Sequence, residues 1–142
     1  MCRVLPSIIV VFALMISSPS FGESAGEMSS NCRKIADAKV SGDTISYVQD
    51  HDTGVCWGAF LVLQDMVMVI DDSVGKKRIF SICPPSESRR LQYILIFLKY
   101  AKDHPEQLHE DFLFVALDSL RKTWPCDLAT GRPTGERLPK KK

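Results

Sequence analysis

The chain has 142 residues, 45% hydrophobic and 25% charged, with 18 basic against 17 acidic side chains and a formal net charge of +1. That length suffices for one domain around one core, and so even a balance excludes a broadly basic nucleic-acid binder. Residues 1–22 stand apart from the rest. Arg3 gives a positive n-region, residues 8–16 form an apolar h-region too short to span a bilayer comfortably, and Ser20, Phe21 and Gly22 offer a cleavage site before Glu23. They read as a secretory signal peptide, so no stable membrane insertion is expected once it is removed. Cys2 precedes the apolar run and no cysteine follows it closely, which argues against a lipoprotein. Losing Arg3 brings the formal charge to zero. Export places the remaining chain where disulfides persist, and Cys32, Cys56, Cys83 and Cys126 form an even set that allows three pairings.

Residues 23–30 are small and polar and read as a linker. A capping-type start at Ser29 or Asn31 predicts one short helix carrying Cys32, Ile35 and Ala36 and ending near Val40 and Gly42. Asp43 is placed to cap a further turn or two with Ile45 and Val48, and residues 51–54 (His-Asp-Thr-Gly) read as a break. Residues 55–70 are apolar except for Gln64 and Asp65, too long a run for a usual strand, which predicts a buried central helix covered on most sides. Residues 71–78 form a charged, solvated loop, and 79–82 a short extended piece leading to Cys83. Residues 86–103 place Leu91, Ile94, Leu95, Leu98 and Ala101 at helical spacing. His104 and Pro105 stop that run and start another over 106–123, with Leu108, Phe112, Val115, Ala116 and Leu120 on one face and Pro125 ending it. Two helices joined so closely fold back antiparallel. Cys83 and Cys126 then sit at the open mouth of the hairpin, where a disulfide stabilises by roughly 4 kcal/mol in the chain-entropy model. This pairing is favoured and leaves Cys32 with Cys56. The fold class expected is all-α, a small helical domain built around a disulfide-closed antiparallel helical hairpin. Beyond it, residues 130–142 carry Arg132, Arg137, Lys140, Lys141 and Lys142 against Glu136 with no apolar periodicity, and read as a basic, disordered, solvated tail.

Enzyme readings find little to stand on. Catalytic cysteines must be free thiolates, whereas an exported even set is expected to be oxidised. The three histidines offer a serine nucleophile no recognisable partner, and no phosphate-cradling glycine loop occurs. Zinc is disfavoured because there is no Cys-x-x-Cys. His104 and His109, with Glu106 and Glu110, are five residues apart, which puts the two imidazoles about 140° apart on a helix, so one face cannot present both. Partner binding fits better. Glu110, Asp111, Asp118, Arg121 and Lys122 form the polar side of the second helix, with Phe114 set among them. Tyr93, Ile96 and Tyr100 form a second apolar strip on the first helix, which needs cover from the core or from a second subunit. Trp57 and Trp124 stand beside Cys56 and Cys126, where packing against the disulfides is expected.

Cys83 with Pro85, then Gln92, Lys99-Tyr100, His104-Pro105-Glu106, His109, Ala116-Leu117 and Pro125-Cys126, make a pattern that resembles the Rap/Tai family, immunity proteins that bacteria use against amidase toxins of type VI secretion. Gly42-Asp43, Cys56, Gly58 and Asp65 extend the likeness upstream more loosely. Where that pattern has a cysteine, at Val48 or Gln49, this chain has none, and Cys32 is placed to take its role. The resemblance implies a helical immunity domain over residues 23–129, a periplasmic location and a homodimer. It also implies that the chain has no catalytic activity, metal or cofactor, and that it binds a cognate peptidoglycan amidase effector, whose active site it blocks sterically. For the contact, Asp71, Asp72, Lys76, Lys77 and Arg78 are singled out, because theirs is the longest polar connection between helices. Two other readings stay open: a small periplasmic helical chaperone of the acid-stress type, and an orphan relative with another binding role.

Overall fold

A computed structural model of the chain describes residues 22–71 and 77–127. The signal peptide read in residues 1–22, all but Gly22, and the basic tail over 130–142 lie outside the described residues. So do Asp72 and Lys76.

The first helix, α1 (Ala25–Cys32), starts within the segment expected to be a linker. Ser24 accepts from the Glu27 N–H at 3.3 Å, and the Glu27 carboxylate accepts from the Ser24 N–H at 3.0 Å. This reciprocal box satisfies two N-terminal donors. Ala25, Met28 and Cys32 form its buried face, and a 3-10 turn (Arg33–Ile35) adds Ile35 to the core. Gly26 lies where a Cβ would stand 3.1 Å from the Leu108 carbonyl, so the close approach of the two backbones needs the missing side chain.

The helical turns expected after Asp43 are instead a hairpin. Strands β1 (Lys39–Ser41) and β2 (Thr44–Ser46) pair antiparallel with Val40 opposite Ile45, around Gly42 and Asp43. Gly42 sits at φ 57°, the left-handed conformation that two-residue hairpin turns require. Arg89 ties this turn to the later chain, its Nη1 donating to the Gly42 carbonyl (3.0 Å) and its Nη2 to Asp43 (2.7 Å).

The expected break at 51–54 is a helix start. Asp50 accepts from the Thr53 N–H (3.0 Å) and donates its own N–H to the Thr53 hydroxyl (2.9 Å), opening α2 (His51–Val67). Thr53, Cys56, Phe60, Leu63 and Val67 are buried, but Leu61 and Val62 are exposed, so the helix is covered on one side rather than on most. The charged stretch that follows is a second ribbon. Strands β3 (Ile70–Asp71) and β4 (Lys77–Arg78) pair antiparallel, Ile70 opposite Arg78 and Asp71 opposite Lys77.

Helix α3 (Arg90–Asp103) begins later than expected, and so does α4 (Phe112–Thr123). Pro105 starts a separate 3-10 turn (Pro105–Gln107), and α4 takes its cap from Asp111, which accepts from the Leu113 N–H at 2.8 Å. Phe60 of α2, Phe97 of α3 and Phe112 of α4 meet edge to face or tilted, with centroids 5.4–5.6 Å apart, at the centre of the core. The ends of the described chain are stitched in by backbone bonds. At one end of α4, Phe112 donates to the Glu23 carbonyl (3.0 Å) and Ala25 to Glu110 (2.9 Å). At its other end, Cys83 donates to the Trp124 carbonyl (2.8 Å) and Cys126 to Ser81 (3.3 Å). Disulfides join Cys32 to Cys56 and Cys83 to Cys126.

The all-α class is therefore corrected. Among the described residues the fold is mixed, four α-helices with two short antiparallel ribbons. Local chemistry decides the difference: a glycine that tolerates positive φ turns the first ribbon, and the residues after α2 pair across the second.

Candidate partner-binding surface

The ribbon formed by β3 and β4 brings together charge and uncovered apolar surface. α2 stops at Val67, and the next residues, Met68, Val69 and Ile70, are each about half exposed. Ile79 is exposed to the same degree just beyond β4, and its N–H donates to the Val69 carbonyl at 3.3 Å. Leu61 and Val62 precede Met68 and Val69 by seven residues, two helical turns, and extend the exposed strip along α2. Arg78 folds back over the base of the ribbon, donating to the Val67 carbonyl (3.3 Å) and meeting Met68 Sδ (2.9 Å). Lys77 is exposed opposite Asp71. Of the five residues singled out from sequence, Asp71, Lys77 and Arg78 thus stand on one ribbon, and Asp72 and Lys76 fall outside the described residues.

A second surface lies on α4. Phe114 is 73% exposed and lines a shallow cavity of about 420 Å³ with Gln107, Glu110, Val115, Asp118 and Arg121. Asp118 is bound into the fold as well: the Tyr100 hydroxyl donates to it at 2.8 Å, and Lys122 Nζ lies 3.1 Å from it and 2.6 Å from the same hydroxyl. Burial opposes the charge on Asp118, but these hydrogen bonds outweigh it and hold its carboxyl below the usual carboxylate range. The second strip on α3 divides: Tyr93 and Tyr100 are buried, Ile96 half-buried. Tyr93 packs on Trp124 with centroids 4.9 Å apart, and His104 lies over Tyr100 at 4.1 Å. His104 also reaches Glu106 (3.0 Å), while His109 is exposed beside Glu110. Cys32, Cys56 and Cys83 are buried and Cys126 half-buried, all in disulfides. Among the described residues no cluster of His, Cys, Asp and Glu is placed to hold a metal ion, and no helix is long and apolar enough to cross a membrane.

Residues 24–126 match the family of Rap1a immunity proteins. The chain belongs to that family. The match opens on Ser24, the cap of α1, and closes on Cys126, so the Rap1a unit coincides with the fold described above. No curated protein and no solved structure matches the chain. Rap1a membership implies an immunity role against a toxin effector, exercised by binding that effector, in a family that is typically non-catalytic. The functional residues of a Rap1a chain are therefore those of its surfaces. Sequence reasoning missed one surface feature, the corner that β1 and β2 make with α3. Its signal was Gly42-Asp43 between Val40 and Ile45, the pattern of a tight hairpin.

Proposed function

We propose that this Rap1a protein is exported by way of residues 1–22 and works in the periplasm as a homodimeric immunity protein. It binds a peptidoglycan amidase effector of type VI secretion and blocks its active site without chemistry of its own. Residues 23–129 make the binding domain, and 130–142 a basic tail. Two disulfides support export, because such bonds persist in oxidising compartments. The observation that carries the reading is the β3–β4 ribbon, where Lys77 and Arg78 stand beside the uncovered Met68, Val69, Ile70 and Ile79. Contiguous apolar residues beside charge are the make-up of an interface core with a polar rim.

The test is inhibition of the amidase effector by the oxidised protein at neutral pH, with size-exclusion chromatography to count subunits. A tight complex with loss of amidase activity is expected. Lys77→Glu, at an exposed position, is expected to weaken binding by about tenfold or more. Unchanged binding by that variant would remove the ribbon from the interface. No complex with the amidase, or broad binding of unrelated proteins only after acidification, would favour the orphan or chaperone reading.

A further inference from the structure

A cluster at the opposite end of α2 has no role in that reading. Tyr47, just after β2, stacks on Trp57 of α2 with centroids 5.1 Å apart and planes 28° apart. Over the same indole stands the guanidinium of Arg90, the first residue of α3, 4.8 Å from the ring centroid. All three side chains are half-buried. Each comes from a different element, and Trp57 adjoins Cys56, whose disulfide to Cys32 fixes this part of α2. The stack is built before any partner arrives.

Arg90 is the unusual member. Among the described residues it makes no ion pair, its Nε–H is shut from solvent without an acceptor, and its two Nη groups reach solvent without a partner. The first turn of α3 holds no acid. Asp43, which the β1–β2 turn brings to this corner, is taken by Arg89. Partly desolvating a guanidinium without a counter-ion is costly, and the indole face offsets only part of that. With Nε buried, the end of the guanidinium is left as a planar two-donor fork, the shape that a carboxylate fills bidentately. Tyr, Trp and Arg are also the side chains in which binding energy concentrates, and a fixed stack loses little entropy on binding.

We propose that the Tyr47–Trp57–Arg90 stack is a carboxylate-reading contact, filled by an Asp or Glu side chain on a loop of the toxin effector. Arg90 grips the carboxylate end-on, and the aromatic pair packs against its methylenes. The identity of the occupant rests on the function proposed above; the chemistry of the site does not. It is a second contact, separate from the β3–β4 ribbon.

The experiment has two arms. In the first, the oxidised protein is titrated with N-acetyl-aspartate N-methylamide and, in parallel, with N-acetyl-asparagine N-methylamide, so that the side-chain carboxylate is the only difference, while the Arg90 Nε–H and Trp57 indole N–H resonances are followed by NMR. Saturable shifts of both signals with the aspartate alone are expected. They should vanish in Arg90→Gln and weaken in Arg90→Lys, which keeps the charge but loses the fork, with thermal melts confirming that both variants fold. Equal shifts from the asparagine, or shifts that survive in Arg90→Gln, overturn the proposal. In the second arm, Arg90→Gln is expected to bind the amidase effector about tenfold more weakly or worse. Wild-type affinity in that variant overturns the assignment of the occupant, as does loss of a dimer of this chain, which would make the occupant a second copy. If the wild-type protein binds no amidase, the proposed function falls and the first arm alone decides the site.

Discussion

Asp50 caps α2 and also meets the ammonium of Lys34. The hydrogen bond from Lys34, followed by that from the Thr53 N–H, lowers its carboxyl from an ordinary 3.8 to about 2. A carboxyl that is more acidic in the folded state stabilises the fold while ionised. The contribution is complete above the unfolded pKa, near 4, and is lost as pH falls from there toward 2. Asp118 shifts in the same direction, so both acids favour the fold near neutrality and withdraw support in acid. Asp50→Asn keeps a side chain able to cap but removes the titration. A melting-temperature series is therefore expected to fall less steeply between pH 4 and 2 for this variant than for the wild type; parallel curves would deny Asp50 the role.

The helices meet through aromatic rings, and their contact has a measurable cost. Phe60 is fully buried against Phe97 and Phe112, so Phe60→Ala opens a cavity at the junction of α2, α3 and α4. A loss of about 3–5 kcal/mol is expected in urea unfolding; a loss under about 1 kcal/mol would mean that the site collapses freely. How far such elements could be read from sequence depends on where their information lies. The runs at 86–103 and 106–123 were legible because Leu91, Ile94 and Ala101, and then Val115, Ala116 and Leu120, repeat at helical spacing. The start of α4 was not, since Leu108 fits that spacing while Pro105 opens a separate 3-10 turn. Ser24 and Glu27 carried a capping signal that the small polar residues around them obscured. The run at 55–70 hid its exposed side for a different reason. A helix apolar all round does not encode which face meets the core, so the uncovered Leu61 and Val62 emerge only when the neighbours are in place. The stack at Arg90 was illegible because it joins residues far apart in sequence.

At the scale of the molecule, two covalent links divide the chain. Cys83 and Cys126 are 43 residues apart and Cys32 and Cys56 are 24 apart. In the chain-entropy model the longer link stabilises by about 4 kcal/mol and the shorter by about 3.5 kcal/mol. Replacing each pair by serine is expected to lower stability by about those amounts, the Cys83 and Cys126 pair slightly more, as read by denaturant unfolding. The reverse order would show that residual structure in the unfolded chain, rather than loop length, sets the gain. The same two bonds also determine how the molecule would bear a load. Tension applied between Ser24 and Cys126 runs along α1 to Cys32, crosses to Cys56, follows α2 and the β3–β4 ribbon to Cys83, and crosses again to Cys126. The β1–β2 hairpin and the whole of α3 and α4 lie on loops that the bonds bypass. Pulled by its ends, the oxidised protein can lengthen only by giving up α1, α2 and the ribbon, while the helical hairpin at its centre cannot be drawn out until a disulfide is reduced.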